Sequence, residues 1–205
     1  VIGEQESVRN SRQVGGYGNI YRLLRDNHLE FTVSIPEHNI RMHVDLFQQV
    51  GVEGKDFTIS VLEEASEMFF DWIDTKGFTI TSNRRDHRRL SFYDIDYDTL
   101  NNQNIIDFTS FASGPQRTVN ALYEAHHGPG NANAIFFGAN RKLGNRLIYE
   151  STRATTIAHE LAHWWLDYFK IYDRYYRQTD GTIDVERPAY EFERYFRTRY
   201  LRNHN

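Results

Sequence analysis

The stretch Thr155–Trp165, TTIAHELAHWW, constrains this chain more than any other segment. It holds no Gly or Pro, and with neutral histidines its one charged residue is Glu160. A helix through it places His159 and His163 on one face, about 5–6 Å apart at Cβ. Two imidazoles so arranged can hold a single metal ion. Glu160 projects beside them, where it can take a proton from metal-bound water instead of binding the ion. Thr156, Ile157, Ala158, Leu161, Ala162, Trp164 and Trp165 are all uncharged, as a helix buried beneath a metal site requires. An ordinary core helix carrying two histidines is the competing reading, but solvated His–Glu pairs normally sit among other charges. Ser151 or Thr152 is the expected N-cap.

There is no cysteine, so disulfides and thiolate metal sites are excluded and any metal must rest on His and carboxylate ligands. At 205 residues the chain can bury a core without such staples. A net charge of -4 sets up no field toward nucleic acid or anionic membrane. No apolar run approaches the ~20 residues of a bilayer span. The opening, VIGEQESVRNSRQVGGYG, has neither a signal-peptide core nor an initiating Met. A processed form or an excised domain of a longer protein is therefore expected.

HLEFTVSI and IRMHVDLF alternate in hydrophobicity around the turn PEHN, which predicts a β-hairpin. DFTISVLEEASEMFFDWIDTKG predicts a short strand and then a helix from about Val61 to Asp74. FTITS and LSFYDIDY predict strands on either side of the arginine-rich NRRDHRR, which reads as a solvated turn. RTVNALYEAHH predicts a short helix, NANAIFFG a strand, and RLIYE a further strand before the metal helix. A last helix is expected to open near Pro188. Strands early, helices late and no βαβ rhythm predict an α+β fold. One domain over 1–205 is expected, with a cleft between a sheet lobe (about 20–170) and a helical lobe (about 171–205).

H-E-x-x-H in this setting resembles the active-site helix of the zincin metallopeptidases. The resemblance covers roughly Asn131 to Phe196, about a third of the chain. It implies one catalytic Zn ion on His159 and His163, Glu160 as general base, and a third protein ligand further along. The metzincin continuation needs a Gly and a third His soon after His163, and WWLDYFKIYDRYY has neither. The gluzincin (thermolysin-like) branch implies a Glu on a second helix. Glu191 in RPAYEFERYF matches it best, with Glu193 the near alternative and Glu186 a further one. In that branch an Asp four residues later often supports the first His, and here Tyr195 stands there. The aspzincin branch offers Asp173 with Tyr176 three residues on, without the family's G-T-x-D context.

The resemblance also implies an extended protein or peptide substrate lying along an edge strand. Asn131-Ala132 and Asn133-Ala134 offer the Asn-Ala pair of the thermolysin-like edge, and a buried strand is the equal alternative. Tyr176, Tyr172, His126 and His127 are candidate donors to the developing oxyanion. Two other functions stand beside the peptidase: a zincin-fold recognition module without catalysis, and an Arg/Tyr-rich binder of single-stranded nucleic acid. Interleaved acidic residues in the tail argue against the latter. A secreted enzyme or a domain delivered into a target compartment would suit this composition, by analogy alone.

Overall fold

The computed structural model describes residues 24, 28–52, 54–80, 89–102, 119–124, 133–141 and 146–204; at 146–149 it describes the backbone alone. The strands are β1 (His28–Ile35), β2 (Ile40–Gln48), β3 (Arg89–Asp96), β4 (Ala121–Glu124) and β5 (Asn133–Ala139). The helices are α1 (Lys55–Lys76), α2 (Tyr97–Leu100), α3 (Arg146–Tyr168), α4 (Ile171–Tyr175) and α5 (Glu186–His204). The fold is α+β. Among the described residues no helix is long and apolar enough to cross a membrane.

The strands form one mixed sheet in the order β1-β2-β3-β5-β4. β2 and β3 run parallel, as do β3 and β5, while β4 is antiparallel to β5. A parallel pair needs a crossover, and α1 supplies it between β2 and β3. A βαβ unit is thus present where the sequence pattern predicts none. The residues around the turn at 36–39 do form the expected pair of strands.

Two compact units emerge from the packing. β2, β3, α2, β4 and β5 belong to one; most of α1, the turn at 33–40, α3, α4 and α5 belong to the other. α3 therefore shares a unit with α4 and α5. In the first unit Phe47, Tyr93 and Phe136 occupy one register row across three strands. Their rings stack at 4.9 and 4.8 Å, with Leu24, Ile95, Leu100 and Leu122 packed around them. Each such stack adds about 0.5–1.5 kcal/mol beyond the area it buries. Gly138 sits where the backbone passes closest: a Cβ there would meet Asn120 O and the Tyr97 ring at 3.1 Å.

Several local expectations are corrected. α1 is helical from Lys55, without the short strand before Val61. The β-branched Thr58, Ile59 and Val61 suggest a strand, but Val61, Leu62, Ala65, Phe69, Trp72 and Ile73 recur at helical spacing and are all buried. Gly77 at φ +69 closes this helix, with Phe78 N–H returning to Ile73 O at 3.3 Å. Residues 78–80 pair with no strand. The rest of that expected strand, most of the arginine run, and His126 and His127 fall outside the described residues. Ala121–Glu124, expected within a helix, is strand β4, because alternate side chains at Leu122 and Glu124 turn into the protein. RLIYE belongs to α3: nothing in Arg146–Tyr168 breaks a helix, so Ser151 and Thr152 lie inside it instead of capping it.

Candidate metal centre

α3 and α5 build the centre within the second unit. The rear face of α3 is anchored by aromatics, Trp165 stacking between Phe69 and Phe169, with Trp164 and Trp165 fully buried. That packing fixes the opposite face, where His159 and His163 meet. Their Nε2 atoms are 3.2 Å apart, and both residues are buried. Glu160, half-buried, follows His159 on the same helix.

The carboxylate that closes the group is Glu186. Its two oxygens lie 3.4 Å from His159 Nε2 and 3.2 Å from His163 Nε2. Glu191 is the expected ligand that the structure moves away. Its Oε2 accepts an ion pair from Lys76 Nζ at 3.0 Å and a hydrogen bond from Tyr176 Oη at 3.2 Å. The reason is helical register. Glu186 and Glu191 are five positions apart, hence about 140° around the axis. Glu186, Tyr190, Glu193 and Arg197 recur at the spacing of one helix face, and that face meets α3. The cause of this register lies just upstream: Asp184 Oδ1 accepts from Arg187 N–H at 3.1 Å, starting α5 so that Glu186 falls in its first turn.

Glu193 faces His159 from the other side, Oε1 3.5 Å from Nδ1, and pairs with Arg197 at 3.3 Å. Tyr172, on α4, contacts His163 Nδ1 through its hydroxyl at 2.5 Å. His163 thus has a hydrogen-bond partner on Nδ1, whereas His159 Nδ1 has Glu193 within ion-pair reach; the two Nε2 atoms face each other and Glu186. Tyr172 takes the supporting role that the sequence assigned to the Tyr195 position for the other histidine. Asp173 is exposed and pairs with Arg177 at 3.5 Å, so it is a surface residue. Tyr176, expected as a catalytic donor, spends its hydroxyl on Glu191.

Charge at the centre is unbalanced toward the negative. Burial lowers the His159 pKa, but hydrogen bonding of its ring N–H groups to Glu186 and Glu193 and the charge of Glu160 more than reverse this, raising it to about 10. Hydrogen bonds from His159 and His163 hold Glu186 far below the usual carboxylate range. Burial, reinforced by nearby carboxylates, keeps the Tyr172 phenol protonated. A pocket that pulls a proton onto buried imidazole is one that welcomes a cation.

The donor set fits zinc. Bonds of 2.0–2.1 Å in a tetrahedron put neighbouring donors about 3.3–3.4 Å apart. The two Nε2 atoms are 3.2 Å apart, and Glu186 brings one oxygen to each, Oε2 at 3.4 Å from His159 and Oε1 at 3.2 Å from His163; one donor atom from each of the three residues lies within 4.8 Å of the others. Glu186 is exposed where the histidines are buried, so the group opens to solvent on one side. Beyond Glu193 the same two helices enclose a cavity lined by Ser151, Thr152, Thr155, Thr156, Glu193 and Arg197. Thr155 and Thr156 donate back to the carbonyls of Ser151 and Thr152, leaving hydroxyl oxygens as acceptors.

Asn133 and Ala134 are placed elsewhere than expected. β5 is an interior strand, paired with β3 through Leu90–Asn133 and with β4 through Glu124–Ala134. The Asn133 side chain donates to Tyr123 Oη at 2.9 Å. A strand hydrogen-bonded on both sides offers no edge to a peptide. Glu186 could have been favoured from sequence by the Asp184 cap and by its face-sharing with Glu193. No family model matches the chain, and no curated protein matches it.

Proposed function

We propose that this chain is a zinc-dependent metallopeptidase with His159, His163 and Glu186 as its metal ligands and Glu160 as its general base. The observation that carries the reading is the convergence of two buried Nε2 atoms and a carboxylate, one donor atom of each within 4.8 Å of the others, with a second carboxylate beside the histidines on their own helix. A bound zinc ion would polarise the scissile carbonyl and acidify the attacking water. Glu160 takes the proton of that water as it adds to the carbonyl carbon, then delivers it to the amine as the C–N bond breaks. Tyr172 at His163 Nδ1 and Glu193 beside His159 Nδ1 would orient the rings so that Nε2 of each is the atom that would hold the ion. Three protein ligands leave one coordination position for chemistry, the pattern of a catalytic and not a structural site.

The test is metal analysis combined with casein cleavage. Wild-type protein reconstituted with zinc and dialysed is expected to hold about one ion per chain. Glu160→Gln should hold as much and lose cleavage. A chain that retains no zinc, or a Glu160→Gln variant that cleaves as well as wild type, sinks the reading.

A further inference from the structure

Hydrolysis through Glu160 builds negative charge on the carbonyl oxygen, and a positioned donor is worth a large factor in rate. Three tyrosines surround the candidate centre, and they differ in what their hydroxyls already do. Tyr172 is buried and engaged with His163 Nδ1, and Tyr176 is buried and engaged with Glu191. Tyr190 is 51% exposed, and among the described residues its hydroxyl has no hydrogen-bond partner. Its ring lies against that of His159, centroids 4.7 Å apart and tilted by 57°. It stands one turn beyond Glu186 on the face of α5 that meets α3. Accessible, uncommitted and fixed against a ligand, it is placed as a donor to something that enters from solvent.

We propose that Tyr190 is a catalytic residue: its hydroxyl donates a hydrogen bond to the oxyanion formed as the substrate carbonyl is hydrated. This rests on the peptidase reading. As the water oxygen bonds to the carbonyl carbon, the π pair moves onto the carbonyl oxygen and the water proton goes to Glu160. Tyr190 keeps its own proton throughout and only shares it. When the intermediate collapses, the pair returns, the C–N bond breaks and Glu160 protonates the amine. Base and donor thus come from different helices, Glu160 from α3 and Tyr190 from α5.

The experiment is Tyr190→Phe, which keeps the ring against His159 and removes the hydroxyl alone. Casein cleavage gives the rate, zinc titration the metal affinity, and calorimetry the affinity for a phosphinic Ala-Ala peptide, whose tetrahedral oxygens mimic the oxyanion. Expected are an unchanged zinc Kd, a KM within about threefold, and a kcat lower by about 100-fold. The phosphinic peptide should weaken by a similar factor. Wild-type kcat and phosphinic affinity in the variant would overturn the assignment, and so would a loss of zinc, which would make the Tyr190 hydroxyl a support of the metal group and not a donor to substrate. A wild-type chain that neither holds zinc nor cleaves overturns the peptidase reading itself. A wild type that does both, beside a Tyr190→Phe variant equal to it, overturns Tyr190 alone.

Discussion

Two groups of histidine and carboxylate bring potential metal ligands within reach of one another: His159, His163 and Glu186 in one unit, His28, Glu30 and Asp45 in the other. On a list of residue types they look alike. Their surroundings separate them. Arg89 reaches into the second group, 3.4 Å from Asp45 and 3.6 Å from Glu30, and His28 stacks on Phe47 at 4.9 Å. The carboxylates there already have their cation, and the group is largely exposed. Among the described residues no Lys or Arg pairs with Glu186, and the two histidines are buried behind it. Competence for a dication is set by the absence of a resident one as much as by the donors.

The sharpest way to break that contrast is His159→Ala. It should abolish tight zinc binding, because the second group is expected to retain none after dialysis; an undiminished zinc content would show the assignment to be inverted. Next in size is Glu186→Ala, for which zinc titration should show a loss above 100-fold, larger than removal of a supporting group produces. Glu191→Ala, run beside it, should stay within a few fold. Should the two variants trade places, α5 sits in a different register from the one described. Smaller again are Tyr172→Phe and Glu193→Gln, each expected to weaken zinc by about 10–100-fold through a misheld imidazole.

In protein freed of any metal, the electrostatics of the group are open to a pH scan. The His159 pKa is raised from 6.5 to about 10 in the metal-free fold. Its contribution to stability is thus complete below pH 6.5 and fades as pH rises toward 10. Thermal melts of chelator-treated protein should show Tm falling across that window, and a flat profile would mean that Glu186 and Glu193 do not hold the proton. The smallest effect is expected from His28→Ala, with zinc content and affinity as in wild type.

What the sequence revealed and what it concealed follow one rule. The pairing of His159 with His163 is legible because both lie within five consecutive positions of a helix lacking any breaker. The carboxylate that joins them was not, since choosing among Glu186, Glu191 and Glu193 requires the rotation of α5 about its axis. A family pattern points to Glu191, while the cap at Asp184 turns Glu186 inward. The sheet shows the same division. β1 and β2 announce themselves by alternation, but β4 is four residues whose strand character comes from pairing with β5. The helix between β2 and β3 was legible from Val61 onward; β-branched residues hid its first turns, and the parallel pairing of β2 with β3 is set by contacts far apart in the chain. Asn133 was read for its neighbour, Ala134, when its strand's place in the sheet is set by partners far along the chain.

The Asp184 cap has a consequence for how such chains can diverge. Arg177 and Ile183 form a bridge that pinches off the turn carrying Gly181 at φ +86. Residues added at the tip of that turn change the count between His163 and Glu186 and leave the geometry of both alone. A single residue added between Asp184 and Glu186 swings the carboxylate by about 100°. The interval along the chain is free to drift, then, while the two-step from cap to ligand is not. Distant cousins of this protein would be recognised by a short acidic phrase at the mouth of their last helix, and not by any fixed distance from H-E-x-x-H.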